Sequence, residues 1–163
     1  MPMDQDVGAV LLKDHRTMEG LFRQMRSVEA DRAGALKLFA ALLVAHGQAE
    51  ESEVYPALKR FKKVDNDEVD HGVAQHAEGN EALLALLEVT EVGSQAWGEK
   101  LERLAEAVSR HVDEEERTIL NGARQNVPDA RRAELGEAFT KQREKYLAAD
   151  CGNIDHVRSI VQH

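Results

Sequence analysis

Two short stretches each place an imidazole and a carboxylate four residues apart: His46 and Glu50 in AHGQAEESEVYPAL, residues 45–58, and His111 and Glu115 in SRHVDEEERTIL, residues 109–120. Four residues is close to one helical turn, so each pair lies on one helix face. In both stretches that face is otherwise apolar, the face a helix buries. His15 falls on a third such stripe, Leu11, His15, Met18, Phe22, Met25. His76 falls on a fourth, Val69, Val73, His76, Asn80, Leu83, Leu87. Unpartnered ionised carboxylates cost several kcal/mol each to bury. A divalent or trivalent cation shared by these groups removes that cost. Imidazole and carboxylate without thiolate suit iron, manganese or zinc. Two carboxylates among four imidazoles suggest two ions bridged by Glu50 and Glu115, since a single tetrahedral zinc would need only four of the six groups.

The elements that must carry these side chains are helices. Turn and cap signals predict a helix from about residue 6 to 29 and a second from Asp31, an N-cap, to about residue 62, kinked near Pro56. A third follows DNDE, residues 65–68, and runs to about residue 91. Ser94 caps a fourth that reaches about residue 123, and Pro128 opens a fifth. Gly152 and Asn153 separate that one from a short tail helix. No stretch alternates as a strand does. The expected fold is all-α: an up-down-up-down four-helix bundle over residues 1–125, with residues 126–163 a C-terminal helical extension packed on the same domain. Residue counts from the shared loops put His15 level with His46 and His76 nearly level with His111, at about 1.5 Å of rise per residue.

In order and interval, His15, then HGQAE (46–50), then His76, then HVDEE (111–115) make the pattern H…HxxxE…H…HxxxE. This resembles the hemerythrin-like, HHE cation-binding family over about residues 5–125. The resemblance implies a non-haem diiron centre of two iron ions. Glu50 and Glu115 would be the bridges, with His15 and His46 on one iron and His76 and His111 on the other. Oxygen-carrying hemerythrins have a further histidine one turn after the third-helix histidine, where this chain has Asn80, and an aspartate at five residues where it has Glu115 at four. The iron near Asn80 is therefore expected to have an amide, a water or an open position, with Glu81 a further candidate ligand. The expected activity is reaction with hydrogen peroxide or dioxygen; the alternative is a module that binds O2 or NO, or senses or stores iron, without catalysis. A ferritin-like arrangement needs Glu-x-x-His on two helices, and only Glu68 and His71 have that spacing, off the buried stripe.

The remaining features narrow the class. Net charge is −9 and no basic cluster exceeds KRFKK, residues 59–63, which argues against nucleic acid and anionic membranes as partners. No apolar run approaches a membrane span, and the first residues lack the pattern of a signal peptide. One cysteine, Cys151, forms no internal disulfide, which fits a reducing cytoplasm; the oligomeric state, monomer or dimer, is left open by the sequence. Asp14, Glu51, Glu114 and Glu116 flank the inward residues and are expected to face solvent, as charge runs usually do. Tyr55 is expected to pack beside the site, with a hydrogen bond there as the alternative.

Overall fold

The computed structural model describes residues 5–162. Four long helices form the bundle: α1 Val7–Arg26, α2 Arg32–Ala49, α4 Asn66–Leu87 and α5 Gln95–Arg117. Each is opened by a side chain that accepts from exposed backbone N–H groups of the first turn: Asp6, Asp31, Asp65 and Ser94. α1 packs on α2, α2 on α4, α4 on α5 and α5 back on α1, which closes the up-down-up-down ring. Among the described residues there is no strand, and no helix is long and apolar enough to cross a membrane.

Two expected helices are interrupted. After Ala49 the second helix widens into a π-helical segment, Glu50–Val54, before the short α3, Tyr55–Leu58. Pro56 is the physical cause, because its ring crowds the carbonyl of Ser52 and it has no N–H to donate. Instead Tyr55 N–H donates to the Glu50 carbonyl, five residues back. Five ordinary α-helical steps would turn Tyr55 about 140° away from Glu50; here both side chains are buried. The fourth helix breaks at Thr118, and α6, Ile119–Asn126, continues from it. The stripe of α4 also differs from the expected one. Val73 is exposed and Leu86 buried, because the face drifts with the 3.6-residue period: Val69, Gly72, His76, Gly79, Leu83, Leu86.

The C-terminal part is a fifth long helix, α7 Asp129–Ala148, and a short α8 Ile154–Val161. α7 packs against α1 and α2, and α8 against α4. Gly136 lets α7 meet the start of α1, since a Cβ there would lie 1.8 Å from the Gln5 carbonyl oxygen. Arg132 then donates to Asp6 at 2.6 Å.

The core is split in two. One apolar cluster includes Met18, Phe22, Phe39, Leu83, Trp97, Leu104 and Val108. The other includes Leu11, Val54, Tyr55, Leu58, Val69, Ile119 and Phe139. Along each bundle helix the inward histidine lies between the two, so the polar residues form one layer with apolar packing above and below.

Candidate metal centre

All six inward residues are buried, from 0% exposure for Glu50 to 9% for His76. Their ring Nε2 atoms and carboxylate oxygens converge. Glu50 Oε1 lies 3.0 Å from His46 Nε2 and 3.1 Å from His76 Nε2. Glu115 Oε1 lies 3.1 Å from His15 Nε2, and its Oε2 lies 3.5 Å from His111 Nε2. Each carboxylate thus meets one histidine of the α1–α2 pair and one of the α4–α5 pair. Donor atoms of Glu50, His76, His111 and Glu115 all lie within 4.8 Å of one another, as do those of His15, His46 and Glu115. Either group could hold a cation.

Three observations show that the donor set fits a metal. Nε2 of His15, His46 and His111, Oε2 of Glu50 and Oε1 of Glu115 are buried without a hydrogen-bond partner among the described residues. Buried polar atoms are rarely left so. Separations near 3 Å also match neighbouring donors at right angles on an ion with bonds of about 2.1 Å. The electrostatics agree. Burial alone would lower the pKa of His46, yet Glu50 and Asp14 outweigh it and push it up to about 10. His76 is likewise pushed up to about 9, against burial, by Glu50 and Glu51. Burial would raise Glu115, but His111 and His15 hold it well below the usual carboxylate range. The layer attracts positive charge, and protons on imidazole supply it when no cation does.

The flanking acids were expected to face solvent; Glu51 does, whereas Asp14 is buried and Glu114 and Glu116 are half-buried, and three of the four also hold a histidine ring. His46 Nδ1–H donates to Asp14 Oδ2 at 2.8 Å, and Asp14 is only 5% exposed. His76 Nδ1–H donates to Glu51 at 2.7 Å and His15 Nδ1–H to Glu116 at 2.9 Å. His111 Nδ1–H donates to Gln75 Oε1 at 2.8 Å, and Gln75 Nε2 donates to Glu114 at 2.9 Å. Gln75 was missed altogether. Its signal was its place on the buried edge of α4, beside His76. Tyr55 does more than pack: its hydroxyl donates to Glu115 and its ring stacks on His76, with centroids 5.6 Å apart. Burial and the neighbouring carboxylates raise the Tyr55 pKa well above its ordinary value, so it remains a neutral donor.

The two further candidates part company. Asn80 is half-buried and lines a cavity of about 20 Å³ that touches all four histidines. Its other walls include Met18, Leu43, Gly47, Gly79, Val108 and Val112. Glu81 is exposed and is not among the converging groups. His71 is exposed and lies 3.0 Å from Glu114. α7 supplies two neighbours to the site. Phe139 meets the His46 ring edge-on, with centroids 5.2 Å apart, and Arg143 donates to Asp14 at 2.5 Å.

The sequence profile of the hemerythrin HHE cation binding domain matches residues 6–122, and the chain belongs to that family. The crystal structure of a hemerythrin HHE cation binding domain-containing protein from Mycobacterium kansasii superimposes with a TM-score of 0.80. It is 24% identical over 94% of this chain and 98% of that one, a likeness of fold that extends beyond the four-helix bundle into α7. No curated protein sequence matches the chain.

Proposed function

We propose that the chain holds two iron ions and reacts with hydrogen peroxide or dioxygen. His15 and His46 serve one ion, His76 and His111 the other, and Glu50 and Glu115 are shared. The observation that carries this reading is that each buried carboxylate meets one histidine from each half of the bundle. Imidazole and carboxylate donors suit iron, and the absence of thiolate from the set disfavours soft metals. Bound iron would supply Lewis acidity and electron exchange with small oxygen species.

The protein's own residues select and orient. The cavity beside the histidines has room for about one water-sized molecule. That suits peroxide or a diatomic gas. Its Met, Leu and Val walls keep bulk water out, and the Asn80 amide is the polar group placed to meet what enters. Tyr55 fixes Glu115 and keeps a proton at its phenolic oxygen beside the site. Residues 126–163 work as part of the same domain as 1–125, because Phe139 and Arg143 reach the site's surroundings. The buried, unpaired Cys151 fits a reducing cytoplasm. The cavity's fit to a diatomic supports a second reading, capture of O2 or NO without turnover.

Metal analysis of aerobically purified protein, with its visible spectrum taken before and after hydrogen peroxide, separates these readings. Two irons per chain with oxygen evolution are expected. A lasting coloured adduct without turnover would favour capture, and a single zinc or no metal would overturn the assignment.

A further inference from the structure

The outer hydrogen bonds of the four histidines follow an order. Each acceptor is the chain neighbour of an inner residue: Asp14 precedes His15, Glu51 follows Glu50, Gln75 precedes His76 and Glu116 follows Glu115. Yet each holds an imidazole on a different helix. Asp14 on α1 takes His46 on α2, and Glu51 just past α2 takes His76 on α4. Gln75 on α4 takes His111 on α5, and Glu116 on α5 takes His15 on α1. The links run once around the bundle and close.

The chemistry of the acceptors fixes where the ring proton sits. Carboxylates only accept, so His15, His46 and His76 must carry the proton on Nδ1. Gln75 could face either way by itself. Glu114 decides it: this carboxylate takes the Gln75 N–H, which turns the amide oxygen toward His111. All four Nε2 atoms are thereby left for the centre. Two members are steadied from outside, Asp14 by Arg143 and Glu116 by Arg16. Gln75 is the neutral member, and His111 Nε2 is also the one farthest from its carboxylate.

We propose that Asp14, Glu51, Gln75 and Glu116 are positioning residues that form a closed ring, each presenting the imidazole of the next helix to a cation held by Glu50 and Glu115. This rests on the metal-binding reading above. Partners of this kind orient ligating imidazoles and raise their basicity. The circular order adds something else: damage at one link should appear on the following helix, away from the substituted one.

The test uses zinc as a diamagnetic probe, with proton NMR of the imidazole N–H groups and competition against a chelator. Wild-type protein should show four slowly exchanging N–H protons, one for each Nδ1. Glu51→Leu should lose the His76 signal, keep that of His46, and bind zinc about 10- to 100-fold more weakly. Glu116→Leu should lose that of His15. Gln75→Leu should lose that of His111 with the smallest loss of affinity, because the link it removes is neutral. Asp14 is the most buried member, so its variant is not needed for the decision. A His76 signal that persists in Glu51→Leu overturns the ring, as does loss of the His46 signal instead. Wild-type protein that takes up no zinc overturns the metal-binding reading, and with it the purpose assigned to the ring, even where all four signals are seen.

Discussion

His46 and His76 lie 3.0 and 3.1 Å from the same oxygen of Glu50, yet their surroundings differ. Behind His46 stands a fifth helix: Phe139 meets its ring, and Asp14, its acceptor, is held by Arg143. The ring of His76 is instead covered by Tyr55 of α3, stacked with centroids 5.6 Å apart. Its acceptor Glu51 has a side chain 40% exposed, and its partner His111 leans on a neutral amide. Gly79 and Asn80, one turn along from His76, line the cavity. On the proposed function, the α1–α2 half serves as an anchor and the more exposed α4–α5 half as an entrance. A site that must hold its ions and still admit a reactant needs both.

The largest expected effect erases the comparison. Glu115→Ala removes one of the two carboxylates common to both halves, and iron content should fall from two per chain to below one; full retention would refute the shared role of Glu115. Phe139→Ala strikes the anchored half alone. A buried phenylalanine of 0% exposure lost from a core should cost about 3–5 kcal/mol in thermal or denaturant unfolding, with iron lost first from the His15 and His46 side. Equal loss from both sides would show that the anchor is not local.

Arginines sharpen the contrast within that half. Arg143 is 16% exposed and Arg16 57%. Arg143→Met should cost about 2–3 kcal/mol by leaving Asp14 Oδ1 unpaired while its Oδ2 keeps His46, whereas Arg16→Met should cost less than about 1 kcal/mol. Similar values for the two would mean that Asp14 finds another partner. On the entrance side, Asn80→His should leave iron content unchanged and move the visible spectrum; an unchanged spectrum would place Asn80 outside the reach of the ion. The smallest effect is expected of Gly79→Ala. A Cβ there meets nothing within 4 Å, so helix propensity alone should raise stability by up to about 1 kcal/mol while narrowing the cavity. A loss of stability would show the cavity to be tighter than it is drawn.

The inner residues were legible in the sequence because they are anomalies: a histidine or glutamate on a stripe of Leu, Val and Phe has no apolar reason to be there. The bundle was legible for the complementary reason, that caps and stripes agree. The outer ring was not. Asp14, Glu51 and Glu116 sit one residue from an inward side chain, about 100° around the helix, where an acidic residue has the same spacing as a solvated one. Their partners lie on the next helix, which no local pattern encodes. Val73 and Leu86 exchanged places for a smaller reason, since steps of three and four only approximate the true period. The break at Thr118 carries no proline or glycine to announce it. The contribution of α7 rests on Phe139 and Arg143 reaching the site's surroundings, and on a close approach at Gly136 that only the folded chain displays.

The π-helical turn at Glu50–Val54 also bears on how this chain can change over time. It holds one residue more than a regular helix would, so the loss of one residue there would return the segment toward α-helical register, with Pro56 still crowding the carbonyl before it. Everything beyond it would rotate by about 100°, carrying the Tyr55 hydroxyl off Glu115 while Glu50 kept its place. Length variation at this point is therefore a single-step route to a sister protein with the same inner histidines and glutamates and no phenol beside them. Comparing such a deletion variant with Tyr55→Phe would separate the part of the chemistry due to the hydroxyl from the part due to the backbone that aims it.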